Sequence, residues 1–202
     1  MFIASLLVNA VGILLFLFIF WRRLKEDFAS EIIFRIGFHI LLGVGIAVLV
    51  SLNFFHSFFL WMALFGGVVG LIFSIYRIKI KFYETFEAFI IASLPWLSVI
   101  FLQDSVIHSS LSSFLGFLGI LFLLFVSYYL DANYKNFSWY KSGKIGFSGL
   151  TVLCLIFLIR FALALLGITM LSFVGQIFEL VATGLGIITC LVMLFNLGRT
   201  YE

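Results

Sequence analysis

Seven apolar runs follow one another along this chain, at 2–20, 32–52, 54–75, 86–102, 114–130, 147–167 and 171–197, with only short polar stretches between them. A helix needs about 20 such residues to cross the hydrocarbon of a bilayer, where every backbone N–H and C=O must find its partner inside the protein. A water-soluble fold is excluded by composition. With 64% hydrophobic residues, 10% charged residues and a mean hydropathy of +1.28, the chain has more apolar surface than a core of its length can hide. The expectation is an all-α integral membrane protein, a single seven-helix transmembrane domain over 1–202.

The net charge of +3 is distributed in a way that sets orientation. Arg22, Arg23 and Lys25 follow the first run; Arg77, Lys79 and Lys81 follow the third; Lys135, Lys141 and Lys144 follow the fifth; Arg199 follows the seventh. The intervening connections carry no Lys or Arg. Positive loops stay in the cytosol, which predicts an amino end outside and a carboxyl end inside. The same spacing argues against nucleic acid as a partner, because the cations are interface clusters between membrane spans. Run 2–20 has no basic segment before it and no small-residue cleavage site after it, so it is expected as a retained helix and not a signal peptide. Trp139 and Tyr140, beside Lys141, read as interface anchors.

Within the apolar runs, the sixth holds a fixed cation, Arg160. A guanidinium in hydrocarbon costs at least about 3 kcal/mol and therefore needs a partner or a polar cavity. Glu179 follows 19 residues later in the seventh run, and a reversal near 169–172 brings both charges to similar depth. Two readings stay open: mutual neutralisation with a structural role, or a site for an anionic headgroup. Gly66 and Gly67, in the third run, also have two readings, close packing of a neighbouring helix or space for a ligand against bare backbone. The fourth run contains Pro95, expected to free a carbonyl and bend its helix. Residues 103–113 form an outer polar loop in which Asp104 and His108 stand four apart, either a solvated surface or a base with its orienting carboxylate. Cys154 and Cys190 lie inside apolar runs and act as small hydrophobes. No metal-ligand pattern, nucleotide-binding glycine loop or other cofactor motif is present, and no internal repeat of the transporter kind.

The order of these features resembles the prolipoprotein diacylglyceryl transferases, bacterial inner-membrane enzymes that move diacylglycerol from phosphatidylglycerol to the lipobox cysteine of preprolipoproteins. The resemblance is carried by the basic turn and acidic residues over 21–32, by the glycine-bearing helix over 59–76, and most specifically by a cytosolic Gly143 leading to a helix with Arg160-Phe161. Phe65-Gly66-Gly67 stands where the family has His-Gly-Gly; His108 is followed by Ser109 and Ser110 where the family has a longer signature; Ala164 stands where a glutamate is expected. The resemblance implies a multi-pass protein of the bacterial cytoplasmic membrane whose partners are a phosphatidylglycerol-like phospholipid and a preprolipoprotein, with no cofactor. It also implies roles. Arg160 would bind the phosphate and stabilise the leaving glycerol phosphate, His108 would activate the incoming thiol, and Gly66, Gly67, Arg160 and Glu179 would form the lipid site. Two alternatives belong to other classes: a noncatalytic lipid-binding or scaffold protein, and a small transporter with helices broken at Pro95 and Gly167.

Overall fold

The computed structural model describes residues 2–133, 146–168 and 173–199. The expected turn at 169–172 and the expected Lys-Trp-Tyr interface segment around 135–144 lie outside the described residues. Among the described residues there are seven α-helices: α1 (Phe2–Leu24), α2 (Ser30–Phe54), α3 (Phe59–Ile78), α4 (Phe82–His108), α5 (Leu111–Asn133), α6 (Phe147–Leu165) and α7 (Gln176–Arg199), with a 3-10 turn at His56–Phe58 between α2 and α3. All seven are long and apolar enough to cross a membrane.

The bundle is organised around α4, the most buried span, which packs against α1, α5 and α6. Its contact with α1 is an aromatic ladder: Phe16 stacks on Phe20 at 5.6 Å and meets Phe89 edge-on at 6.4 Å. Side chains such as Leu14, Phe18, Phe122, Phe125, Ile188 and Phe195 point outward and are exposed. This is the arrangement for a protein whose solvent at mid-height is lipid, since outward burial brings no hydrophobic gain there.

Small residues set the helix crossings instead. Gly66 on α3 lies directly against Gly43 on α2, and an added Cβ would meet the Gly43 carbonyl and, at 2.5 Å, the Ala47 methyl. At Gly67 an added Cβ would lie 2.6 Å from the Phe89 ring of α4. The geometry at both positions therefore supports close packing over an open ligand space, because helix and ring already occupy the volume that the missing side chains release. His39, on the same α2–α3 seam, meets Ser74 at 3.0 Å, and its neighbour Arg35 pairs with Glu31 one turn back at 2.9 Å.

One local expectation changes. The polar stretch 103–113 is not a loop: α4 continues through His108 and α5 begins at Leu111, leaving a two-residue turn with Ser109 in the left-handed region at φ 48°. Asp104 makes this turn tight by accepting from His108 on its own helix and from the Ser113 hydroxyl on the next. Pro95 does not interrupt α4, which runs continuously past it. The Ser98 hydroxyl donates to the Pro95 carbonyl at 2.8 Å on the following turn.

Candidate functional site: a cation at the junction of two cavities

Arg160 lies five residues before the end of α6, about 8 Å from it along the axis, so it sits toward one end of the span and not at its middle. Glu179 occupies the first turn of α7, where the helix dipole favours a carboxylate. The two form a forked ion pair: Arg160 Nη2 donates to Oε1 at 2.7 Å and Nε donates to Oε2 at 3.2 Å. Glu179 is fully buried, and the Arg160 side chain is 16% exposed.

A third helix completes the site. Trp61, in the first turn of α3, donates its indole N–H to Glu179 Oε1 at 3.0 Å, while its ring lies 5.5 Å beneath the guanidinium carbon. Phe157 stacks on the same indole at 6.0 Å and Phe178 meets it edge-on at 5.9 Å. The guanidinium is thus held by charge, by forked hydrogen bonds and by an aromatic face. On α7 the Thr183 hydroxyl donates to the Glu179 carbonyl, and Gln176 Nε2 donates at 3.0 Å to the Ala164 carbonyl, which also accepts the Gly167 N–H at the end of α6.

Beside this pair are two cavities. The larger, about 330 Å³, extends from Arg160 and Trp61 past Ser93 to Asn9 on α1 and Gly45 on α2. The smaller, about 110 Å³, extends the other way to Leu115 and Gly119 on α5. Arg160, Leu60, Leu97 and Ile156 line both. Among the described residues, neither wall contains a His, Cys, Asp or Glu, and Arg160 is the one charged side chain in them. The arrangement sets a paired guanidinium next to apolar space.

Of the residues singled out in the sequence, Arg160 and Glu179 come together as expected. Gly66 and Gly67 line neither cavity, and nor does His108. His108 stands at the end of α4 with its side chain 68% exposed and Nδ1 2.9 Å from Asp104 Oδ1. Because an ionised carboxylate only accepts, Nδ1 carries the proton in that contact, which leaves Nε2 as the basic nitrogen of the neutral ring. No three His, Cys, Asp or Glu gather into a metal-binding group among the described residues.

Sequence reasoning missed a second charged cluster at the opposite end of the bundle. Glu87, one turn into α4, accepts the Gly146 N–H at 2.6 Å and the Ser148 hydroxyl at the start of α6. Arg23, at the end of α1, approaches Glu87 at 3.6 Å and pairs with Asp131 at the end of α5. A lone glutamate near the start of an apolar run was the available signal, as was the Trp61 that opens the third run. Compared with known proteins, the chain matches no family model, no curated sequence and no solved structure, so the transferase resemblance rests on the residues quoted for it.

Proposed function

We propose that this chain is a multi-pass protein of the bacterial inner membrane, amino end outside and carboxyl end in the cytosol, that binds a phosphatidylglycerol-like phospholipid with its phosphate on Arg160. The observation that carries this reading is the position of Arg160: a fixed cation at the meeting point of two apolar cavities, already oriented by Glu179 and Trp61. A planar guanidinium presents several donors, so binding a phosphate requires sharing the fork with Glu179 and not breaking the pair. Lipid binding is favoured over diacylglyceryl transfer because, among the described residues, the cavity walls hold no His, Cys, Asp or Glu to activate a thiol.

Transfer to a preprolipoprotein cysteine is the second reading, supported by the His108–Asp104 contact, which leaves Nε2 available as a general base. Two measurements test these readings. Native mass spectrometry of the purified protein is expected to show retained phosphatidylglycerol that is lost in Arg160→Met. Incubation with labelled phosphatidylglycerol and a lipobox peptide separates the two: label on the peptide, abolished by His108→Ala, establishes transfer, and retention without transfer establishes binding alone. For orientation, cysteine labelling is expected to reach residues 109–110 from outside only.

A further inference from the structure

We infer that α2 and α3 together form a gate for the larger cavity, hinged at the Glu87 end of the bundle and latched at the Arg160 end by the side chain of Trp61. The two helices move as one body, because Gly43, Gly66 and Gly70 bring their backbones into direct contact: a Cβ at any of the three would strike the backbone of the other helix. Their attachment to the rest of the bundle is uneven. On α2 the buried residues Ile33, Ile36, Gly37 and Ile40 all lie in the half toward Glu87, and an added Cβ at Gly37 would meet Leu17 of α1 at 3.0 Å. Further along α2, burial is confined to Ala47, against Gly66 of α3, and Ser51, bonded to the Phe55 carbonyl. On α3 the buried residues run from Gly66 to Ser74, with Gly67 against Phe89 of α4, and none of residues 59–65 is buried. The Arg160 half of the pair faces the larger cavity instead, through Val44, Gly45 and Val48 of α2 and Phe59, Ala63 and Leu64 of α3.

Side chains make the closure across that half. Among the described residues the α3 and α7 backbones do not approach each other. Trp61 reaches over instead, donating to Glu179 and covering Arg160, and Phe58 meets Phe178 edge-on at 5.0 Å. A helix interface packed along its length resists separation, whereas a few side chains bridging a cavity yield once they let go, so the packed half acts as hinge and the other half swings. The latch ends on Glu179 Oε1, the same oxygen that accepts from Arg160, so closing the gate and orienting the cation are coupled. This rests on the headgroup reading above for what enters the cavity, and not for the motion itself.

The test uses the full chain and reads distance first. With the buried cysteines removed by Cys154→Ala and Cys190→Ala, spin labels on Phe54→Cys and Ile177→Cys, both exposed at the Arg160 end, report the separation of α2 from α7. A second pair, Tyr76→Cys and Tyr128→Cys, is exposed at the Glu87 end and reports the hinge. Trp61→Ala is expected to add a longer-distance population to the first pair and to leave the second pair unchanged. If that variant fails to fold, Trp61→Phe keeps a ring, removes the indole donor and is expected to give the same shift with smaller amplitude. An unchanged first pair in the folded variant, or equal broadening of both pairs, overturns the gate. Exchange is read second. Phe58→Cys and Phe178→Cys, bridged by a short thiol-reactive crosslinker that reduction cleaves, hold the gate shut. Native mass spectrometry is then expected to show bound isotope-labelled phosphatidylglycerol replaced by unlabelled lipid about tenfold more slowly, with recovery on reduction. Exchange within about twofold of the unbridged protein overturns the gate as the route into the cavity. Unchanged retention of phosphatidylglycerol by Arg160→Met overturns the headgroup reading instead and leaves the distance result standing, so the two failures are distinguishable.

Discussion

The bundle has two charged clusters built from the same chemistry and packed in opposite ways. At one end Arg160 meets Glu179 beside two cavities; at the other Arg23 meets Glu87 and Asp131, and none of these three lines either cavity. Around Glu87 the helices close in: Gly149 of α6 sits so near that an added Cβ would lie 2.8 Å from the Glu87 Cα, and the Gly146 N–H and Ser148 hydroxyl satisfy the carboxylate. That cluster ties α1, α4, α5 and α6 together. The comparison teaches that a buried Arg–carboxylate pair says nothing of function by itself, since such pairs are weak evidence even for stability. What separates the two is the space next to the cation.

Three substitutions sharpen this contrast. The largest effect is expected from Glu87→Ala, which leaves the Gly146 N–H and Ser148 without their acceptor and Arg23 with one carboxylate in place of two. A loss of about 4 kcal/mol is expected from thermal or denaturant unfolding, with phosphatidylglycerol retention unchanged in the folded fraction. Loss of lipid without loss of stability would erase the distinction between the clusters. Next comes Gly66→Ala, where the new methyl collides with the α2 backbone; about 3 kcal/mol of destabilisation is expected, again with lipid retained. Selective lipid loss in that variant would return Gly66 to the ligand site. The smallest effect is expected from Trp61→Phe, which keeps an aromatic face under Arg160 and removes the indole donor to Glu179, for about 2 kcal/mol and a weaker hold on the lipid. Here stability and retention should fall together.

Much of this was legible in the residues. The helix count follows from run length, and the Arg160–Glu179 contact from the position of two isolated charges on consecutive spans. The facing of each helix was not legible, because a span apolar on all sides carries little periodic signal about which side meets protein and which meets lipid. For that reason Gly66 and Gly67 kept both readings in the sequence, although the α2 backbone and the Phe89 ring lie directly against them. Likewise the polar composition of 103–113 signals solvent exposure, yet Asp104 binds across the turn to Ser113 and lets α4 continue as a helix. Trp61 escaped notice because tryptophan at the start of a span is ordinary for a membrane interface; its bond to Glu179 depends on α7 lying opposite α3.

The central claim is that Arg160 is held for a phosphate and not merely neutralised. Glu179→Gln alone leaves a guanidinium without its counter-charge and is expected to cost about 3–5 kcal/mol. The double variant Arg160→Met with Glu179→Gln removes both charges, and its unfolding midpoint and phosphatidylglycerol retention are to be measured on the same preparation. The account predicts that stability returns toward that of the wild type while lipid retention is lost. Recovered stability with phosphatidylglycerol still bound would contradict it, because the cation shared by the two cavities would be gone and the lipid would not have needed it.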